Sequence, residues 1–126
     1  MRVVVLLLLL SGGAAWAEWT AQLAAEWDTV YPNGVPDTVK SWFRTVKSRN
    51  GVPCCDISDG HHTDEEIRAD GSTWVPHPLK EGQLMQIPPE AIVREAGNPT
   101  GRAVIWWVRQ GAEIVYVRCF VHGAGV

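Results

Sequence analysis

Cysteine stands at only three positions of this 126-residue chain, and two of them are neighbours: Cys54, Cys55 and Cys119. Where thiols oxidise, a bridge from the pair to Cys119 ties the middle of the chain to its last segment, and any fold must accommodate that tie. The N-terminus reads as the signal that delivers the chain to such a compartment. Met1-Arg2 is a short positive start, Val3 to Leu10 is unbroken apolar sequence, and Ser11-Gly12-Gly13 leads to the A-x-A site Ala15-Trp16-Ala17. A helical membrane span needs ~20 apolar residues, so this run reads as a leader and not an anchor. Residues 1–17 are expected to be a cleaved signal peptide. Residues 18–126 then form a single exported domain, periplasmic or secreted, with no membrane span after cleavage.

Three single bridges are available: Cys54 to Cys119, Cys55 to Cys119, or the vicinal pair, whose tight ring is strained. A long-range bridge stabilises by roughly 2 to 4 kcal/mol in the chain-entropy model. If the segment from Cys54 to Ser58 runs extended, Cys55 shares a face with apolar Ile57 and Cys54 with Asp56. The expected bridge is therefore Cys55–Cys119, with Cys54 as the alternative partner.

Arg2 is one of eleven basic residues, so the exported part carries ten against fourteen acidic, a net charge of −4. Its Lys and Arg are scattered, which argues against nucleic acid, and the acidic balance disfavours anionic membrane surfaces. A hydrophobic fraction of 46%, with all but one of the seven Trp beyond the leader, predicts a packed core.

Leu23, Trp27, Val30 and Tyr31 have helical spacing, ended by Pro32-Asn33-Gly34. Val39, Trp42, Phe43 and Val46 form an i, i+3, i+4, i+7 stripe, which predicts a helix over Thr38 to Ser48 capped by Asp37 and stopped by Asn50-Gly51. Beyond Gly51 the pattern turns to strands: Glu66 to Arg68 and Ser72 to Val75 about Asp70-Gly71, then Gln83 to Ile87. A single helical turn is expected within Glu90 to Glu95. Ala103 to Arg109 and Glu113 to Val121 are the strongest strands, the second placing Val115, Val117, Cys119 and Val121 on one face. Of Trp106 and Trp107, one is expected in the core and the other on the opposite face. The predicted architecture is α+β: a helical part over 18–51 packed on a β-rich part over 52–126, with about five antiparallel strands that can curl into an SH3-like barrel.

Cys54-Cys55-Asp56-Ile57-Ser58-Asp59-Gly60-His61-His62 gathers thiolate, imidazole and carboxylate donors, the groups that bind Cu or Zn. Cys54, Asp56, His61 and His62 are the candidate metal ligands, and a polar surface loop is the plainer reading of the same residues. A calcium loop fits worse, because Gly60 falls one place early for an EF-hand. A Cys54 nucleophile with His61 or His62, oriented by Asp56, Asp59 or Asp64, is an enzyme reading that no motif supports.

Asn50-Gly51-Val52-Pro53-Cys54-Cys55-Asp56, then Trp74-Val75-Pro76, Pro88-Pro89-Glu90-Ala91-Ile92-Val93 and Val117-Arg118-Cys119-Phe120 resemble segments of small exported proteins of rhizobia and related alphaproteobacteria. The resemblance implies export, this fold class and a place in the bacterial envelope, and it brings no catalytic residue. The leading expectation is a non-enzymatic, disulfide-stapled domain without a cofactor that binds an envelope or extracellular partner. Cu or Zn binding through the Cys54 to His62 loop is the alternative, and a Cys/His enzyme comes third.

Overall fold

A computed structural model describes residue 27 and residues 29–54, 57, 59–94 and 96–124. The expected leader, its expected cleavage point and most of the first expected helix lie outside the described residues, as do Cys55 and Asp56. Trp27, Thr29 and Val30 are helical, and the Tyr31 amide donates to Trp27 O at 2.8 Å.

The second expected helix is α1, Asp37–Thr45, which buries Val39, Trp42 and Phe43 as the stripe predicts. Its start differs from expectation. Pro36 occupies the N-cap position and no side chain caps the first turn. Asp37 lies inside that turn, where its charge suits the helix dipole but its oxygens do not cap. The helix also ends three residues early, because Val46 turns extended. There its carbonyl accepts the Cys54 amide at 3.1 Å, and Lys47 forms an antiparallel bridge with Pro53. A β-type contact thus replaces the last expected turn.

Six strands follow among the described residues, in two antiparallel sheets of three instead of one sheet of about five. They are β1 (Gly60–Thr63), β2 (Glu66–Ile67), β3 (Thr73–Pro76), β4 (Leu84–Gln86), β5 (Ala103–Gln110) and β6 (Glu113–Val121). One sheet has the order β1-β5-β6 and the other β2-β3-β4, and no barrel closes. The expected Asp70-Gly71 hairpin turn is present, with Gly71 at φ 84°, a backbone conformation that favours glycine. The Ser72 hydroxyl and amide donate to the Asp70 carboxylate and hold its pKa below the ordinary carboxylate value. The turn therefore gains from that carboxylate at neutral pH and loses the gain as pH falls through the carboxylate range. Pro89–Ala91 forms a single 3₁₀ turn that overlaps only the start of the Glu90 to Glu95 segment expected to hold a helical turn.

Burial explains why the sheet does not curl. β5 is covered on both faces. Val104 and Trp106 point to α1, into a core that includes Trp42, Phe43, Cys54, Cys119 and Val121. Ala103 and Ile105 point the other way, into a core with Val75, Ile87, Ala91 and Phe120. The molecule is layered as helix, sheet and second sheet, and each interface has its own core.

The expected faces of β6 hold only near its end. Trp106 pairs with Cys119 but Trp107 with Val117, and Val108 pairs with Tyr116 but Arg109 with Ile114. Arg118 and Val115 are therefore extra residues in two β-bulges, and each bulge reverses the alternation. Val117 packs with Phe120 and not with Cys119, while Val115 is 55% exposed.

Gly60 marks the tightest point of the helix-side core. A Cβ there would lie 2.8 Å from Phe43 Cε1 and 2.9 Å from the Trp106 ring, and both side chains are only 1% exposed. The Gly60 carbonyl also accepts from Trp27 Nε1 at 2.9 Å. Gly60→Ala should therefore cost about 1–3 kcal/mol in denaturant unfolding, the usual cost of overpacking. An unchanged midpoint would show that the rings are not held against this backbone.

Candidate functional site

The described donors of the donor-rich segment are dispersed by the way the chain folds. Cys54, fully buried, is bonded to Cys119 across a sequence separation of 65, with a Cα–Cα distance of 5.7 Å. The bridge thus uses the alternative partner in place of the expected Cys55. Extended pairing ends where Lys47 meets Pro53, and turns at Ile57 and Asp59 follow, so alternation carried forward from Cys54 does not decide which cysteine faces the core.

His61 and His62 are neighbours on β1 and point to opposite faces, opposite Ile105 and Val104 respectively. The His61 ring stacks on Trp107 with centroids 5.2 Å apart, and the His62 ring meets Trp27 edge-on at 5.8 Å. With its sulfur in the bridge, Cys54 supplies neither a thiolate ligand nor a thiol nucleophile. Asp56, the fourth proposed ligand, is outside the described residues. Among the described residues no three His, Cys, Asp or Glu side chains gather as a metal-holding group.

Trp106 and Trp107 divide between the faces as expected. Trp106 packs under α1, with its ring centroid 5.6 Å from that of Phe43, and Trp107 lies against the second core.

Two other places carry organised chemistry. At the end of β6, His122 Nδ1 stands 3.0 Å from Glu65 Oε1, and the Gly123 amide donates to Glu65 Oε2 at 3.2 Å. Glu65 lies between β1 and β2, so this pair ties the chain where it passes from one sheet to the other. Asn98 Nδ2 donates to the His122 carbonyl at 3.1 Å. His122, Asn98 and Gly123 help line a cleft of about 280 Å³. Fifty-seven positions separate Glu65 from His122, and neither sits in a motif, so no pattern in the sequence signals the contact.

The second place is the outer edge of β6. Val93 donates to the Phe120 carbonyl at 2.8 Å and Ile92 bridges Phe120 in parallel, which covers that end of the strand. From Glu113 to Val117 the outer edge has no strand partner among the described residues. Beside it runs a groove of about 420 Å³ with Val52, Tyr116 and Val117 as apolar lining and Arg49, Arg118 and Glu90 as charged lining. Val52 is 53% and Tyr116 49% exposed. Among the described residues no helix is long and apolar enough to cross a membrane.

Comparison with protein families, with curated proteins and with solved structures finds no match for the chain.

Glu65 is the acceptor for two donors at once, and Glu65→Ala leaves both without it. The substitution should lower the unfolding free energy by about 1–2 kcal/mol, and it should speed exchange of the Gly123 amide with solvent. Unchanged exchange at Gly123 would contradict the tie.

Proposed function

We propose that the chain is an exported, disulfide-stapled binding domain of the bacterial envelope, and that its partner is an extended segment of another exported protein laid along β6. The observation that carries this reading is the groove itself, lined by apolar and charged side chains together beside a strand edge that has main-chain groups to offer. Strand addition draws affinity from backbone hydrogen bonds and specificity from side-chain grooves of this kind. Arg49 and Arg118 favour acidic side chains on the partner, and Glu90 sets a like-charge penalty against acidic residues on its own flank. Export is supported by the leader-like N-terminus and by a disulfide of the sort that persists outside a reducing cytosol.

Replacing Tyr116 with photoactivatable benzoylphenylalanine in the exporting cell tests the proposal, with Lys40 on the exposed side of α1 as the control position. A discrete adduct is expected from position 116 and not from position 40. The cross-linked segment, synthesised as a peptide, should shift the amide resonances of Glu113 to Val117 saturably. Val52→Asp should abolish those shifts while changing stability by less than about 0.5 kcal/mol, as expected at an exposed site. Identical adducts from both positions, or peptide shifts that map elsewhere, would overturn the reading.

A further inference from the structure

The strap that follows Pro89–Ala91 runs parallel to the end of β6. Ile92 bridges Phe120, and the Val93 amide donates to the Phe120 carbonyl at 2.8 Å. Two residues further along each chain stand Arg94 and His122, so the same register carries them to one level. Both line the cleft of about 280 Å³ at that end of the strand. Asn98 fixes another wall, since its Nδ2 donates to the carbonyls of Arg102 and His122 at 2.6 and 3.1 Å.

Glu65 sets the tautomer of the imidazole. One of its oxygens accepts the Gly123 amide at 3.2 Å, and the other meets His122 Nδ1 at 3.0 Å. An ionised carboxylate only accepts, so Nδ1 carries the proton between them and Nε2 is left to gain or lose one. The Glu65 side chain is 12% exposed and is not part of the cleft wall, whereas that of His122 is 26% exposed and is. The carboxylate thus stands behind the ring. Nδ1 makes the ring's only hydrogen bond among the described residues. Arg94 is exposed and makes no hydrogen bond or ion pair among them.

Among the described residues that line the cleft none is Asp or Glu. We infer that it binds a small carboxylate, with the Arg94 guanidinium on the two oxygens and protonated His122 donating from Nε2. The planar fork of arginine matches a carboxylate and not a spherical ion such as chloride. With His122 protonated, the charges of Arg94 and His122 exceed that of Glu65 by one, which suits a monoanion. At ~30 Å³ per water the cleft has the volume of about nine waters, room for an acid of a few carbons. The charged groups that face the ring are Glu65 from the β1–β2 connection and Arg94 from the strap, while Phe120, Asn98 and Gly123 are uncharged. Binding therefore takes up a proton wherever free His122 is neutral, and affinity falls as pH rises through the histidine range near ~6.5. The cleft shares no lining residue with the β6 groove, so this site stands without the partner proposed there.

The test records the side-chain ¹⁵N resonances of His122 and Arg94 in labelled protein as sodium acetate is added, with acetamide and with sodium chloride at matched ionic strength as controls. Acetate should move both sets of signals saturably, whereas acetamide and chloride should not. Acetate stays ionised from about pH 6 to 8, so pH dependence in that range belongs to the protein. Its affinity should be at least about fivefold weaker at the upper end. By reciprocity, saturating acetate should raise the midpoint of the His122 titration by about one pH unit, which corresponds to a tenfold preference for the protonated ring. Arg94→Gln should weaken binding at least about tenfold, the scale of losing one charge-assisted hydrogen bond. Arg94→Lys, which keeps the charge and loses the fork, should retain a weaker site. Arg102→Gln, at an exposed cation outside the cleft wall, should leave affinity unchanged. N-acetylglycine then separates two sources of the same group. Binding at least as tight as that of acetate assigns a carboxylate borne on a larger molecule, and binding of acetate alone assigns a free small acid. An equal response to acetate and either control would overturn the inference. So would equal weakening by Arg94→Gln and Arg102→Gln, or a His122 midpoint that acetate does not move.

Discussion

Both halves of the molecule pack against one two-stranded ribbon, β5 paired with β6. A strand buried on both faces must be apolar at successive positions, and Ala103, Val104, Ile105 and Trp106 meet that demand. Odd and even positions then serve different cores: Val104 and Trp106 under α1, Ala103 and Ile105 against the second sheet. The same ribbon also receives the disulfide. Cys119 lies opposite Trp106 in register and bonds Cys54, so the connection leaving α1 is fixed at the centre of the helix-side core. Its neighbour Phe120 points into the other core and accepts the Val93 amide. Adjacent residues on one strand thus anchor the two layers on either side.

The irregularities of the ribbon shape the surface at which we propose binding. A regular β6 would continue its alternation, with Val115 and Val117 on the face of Cys119. Two bulges break that pattern, expose Val115 and Tyr116, and place Arg118 where it lines the edge groove. Bulges near strand edges commonly re-aim side chains in this way. The bridge has a chemical consequence as well. It takes the Cys54 sulfur out of thiol chemistry, and the β1 pleat sends His61 and His62 to opposite faces, so residues that are close in sequence do not converge on one site.

Much of the local structure was legible in the residues. The Val39, Trp42, Phe43 stripe placed α1, Asp70-Gly71 placed a hairpin, and the apolar runs after Ala103 and Glu113 placed the central ribbon. These signals depend on short-range periodicity and turn chemistry, which a single sequence carries. The C-terminal limit of α1 was not legible, because Val46 leaves the helix to satisfy the Cys54 amide eight residues later. The expectation of Cys55 over Cys54 in the bridge fails for a related reason, since alternation does not carry through a segment that turns at Ile57 and Asp59. Bulge positions have no signature in Val115 or Arg118 themselves, so the alternation expected along β6 does not hold at its middle. The Glu65–His122 pair and the edge groove join residues far apart in the chain, and only the folded arrangement brings them together.

The account depends most on which cysteine holds the last strand, because that bond sets Cys119, and with it the neighbouring bulge at Arg118, against the helix-side core. Non-reducing peptide mapping of the protein purified without reductant, with free thiols alkylated before unfolding and digestion, reads the bond directly once the cleaved products place Cys54 and Cys55 on separable fragments by sequential degradation. The predicted result is Cys119 linked to Cys54 within one chain, with Cys55 outside that bridge. Cys119 linked to Cys55, or recovered as an alkylated thiol, would contradict it.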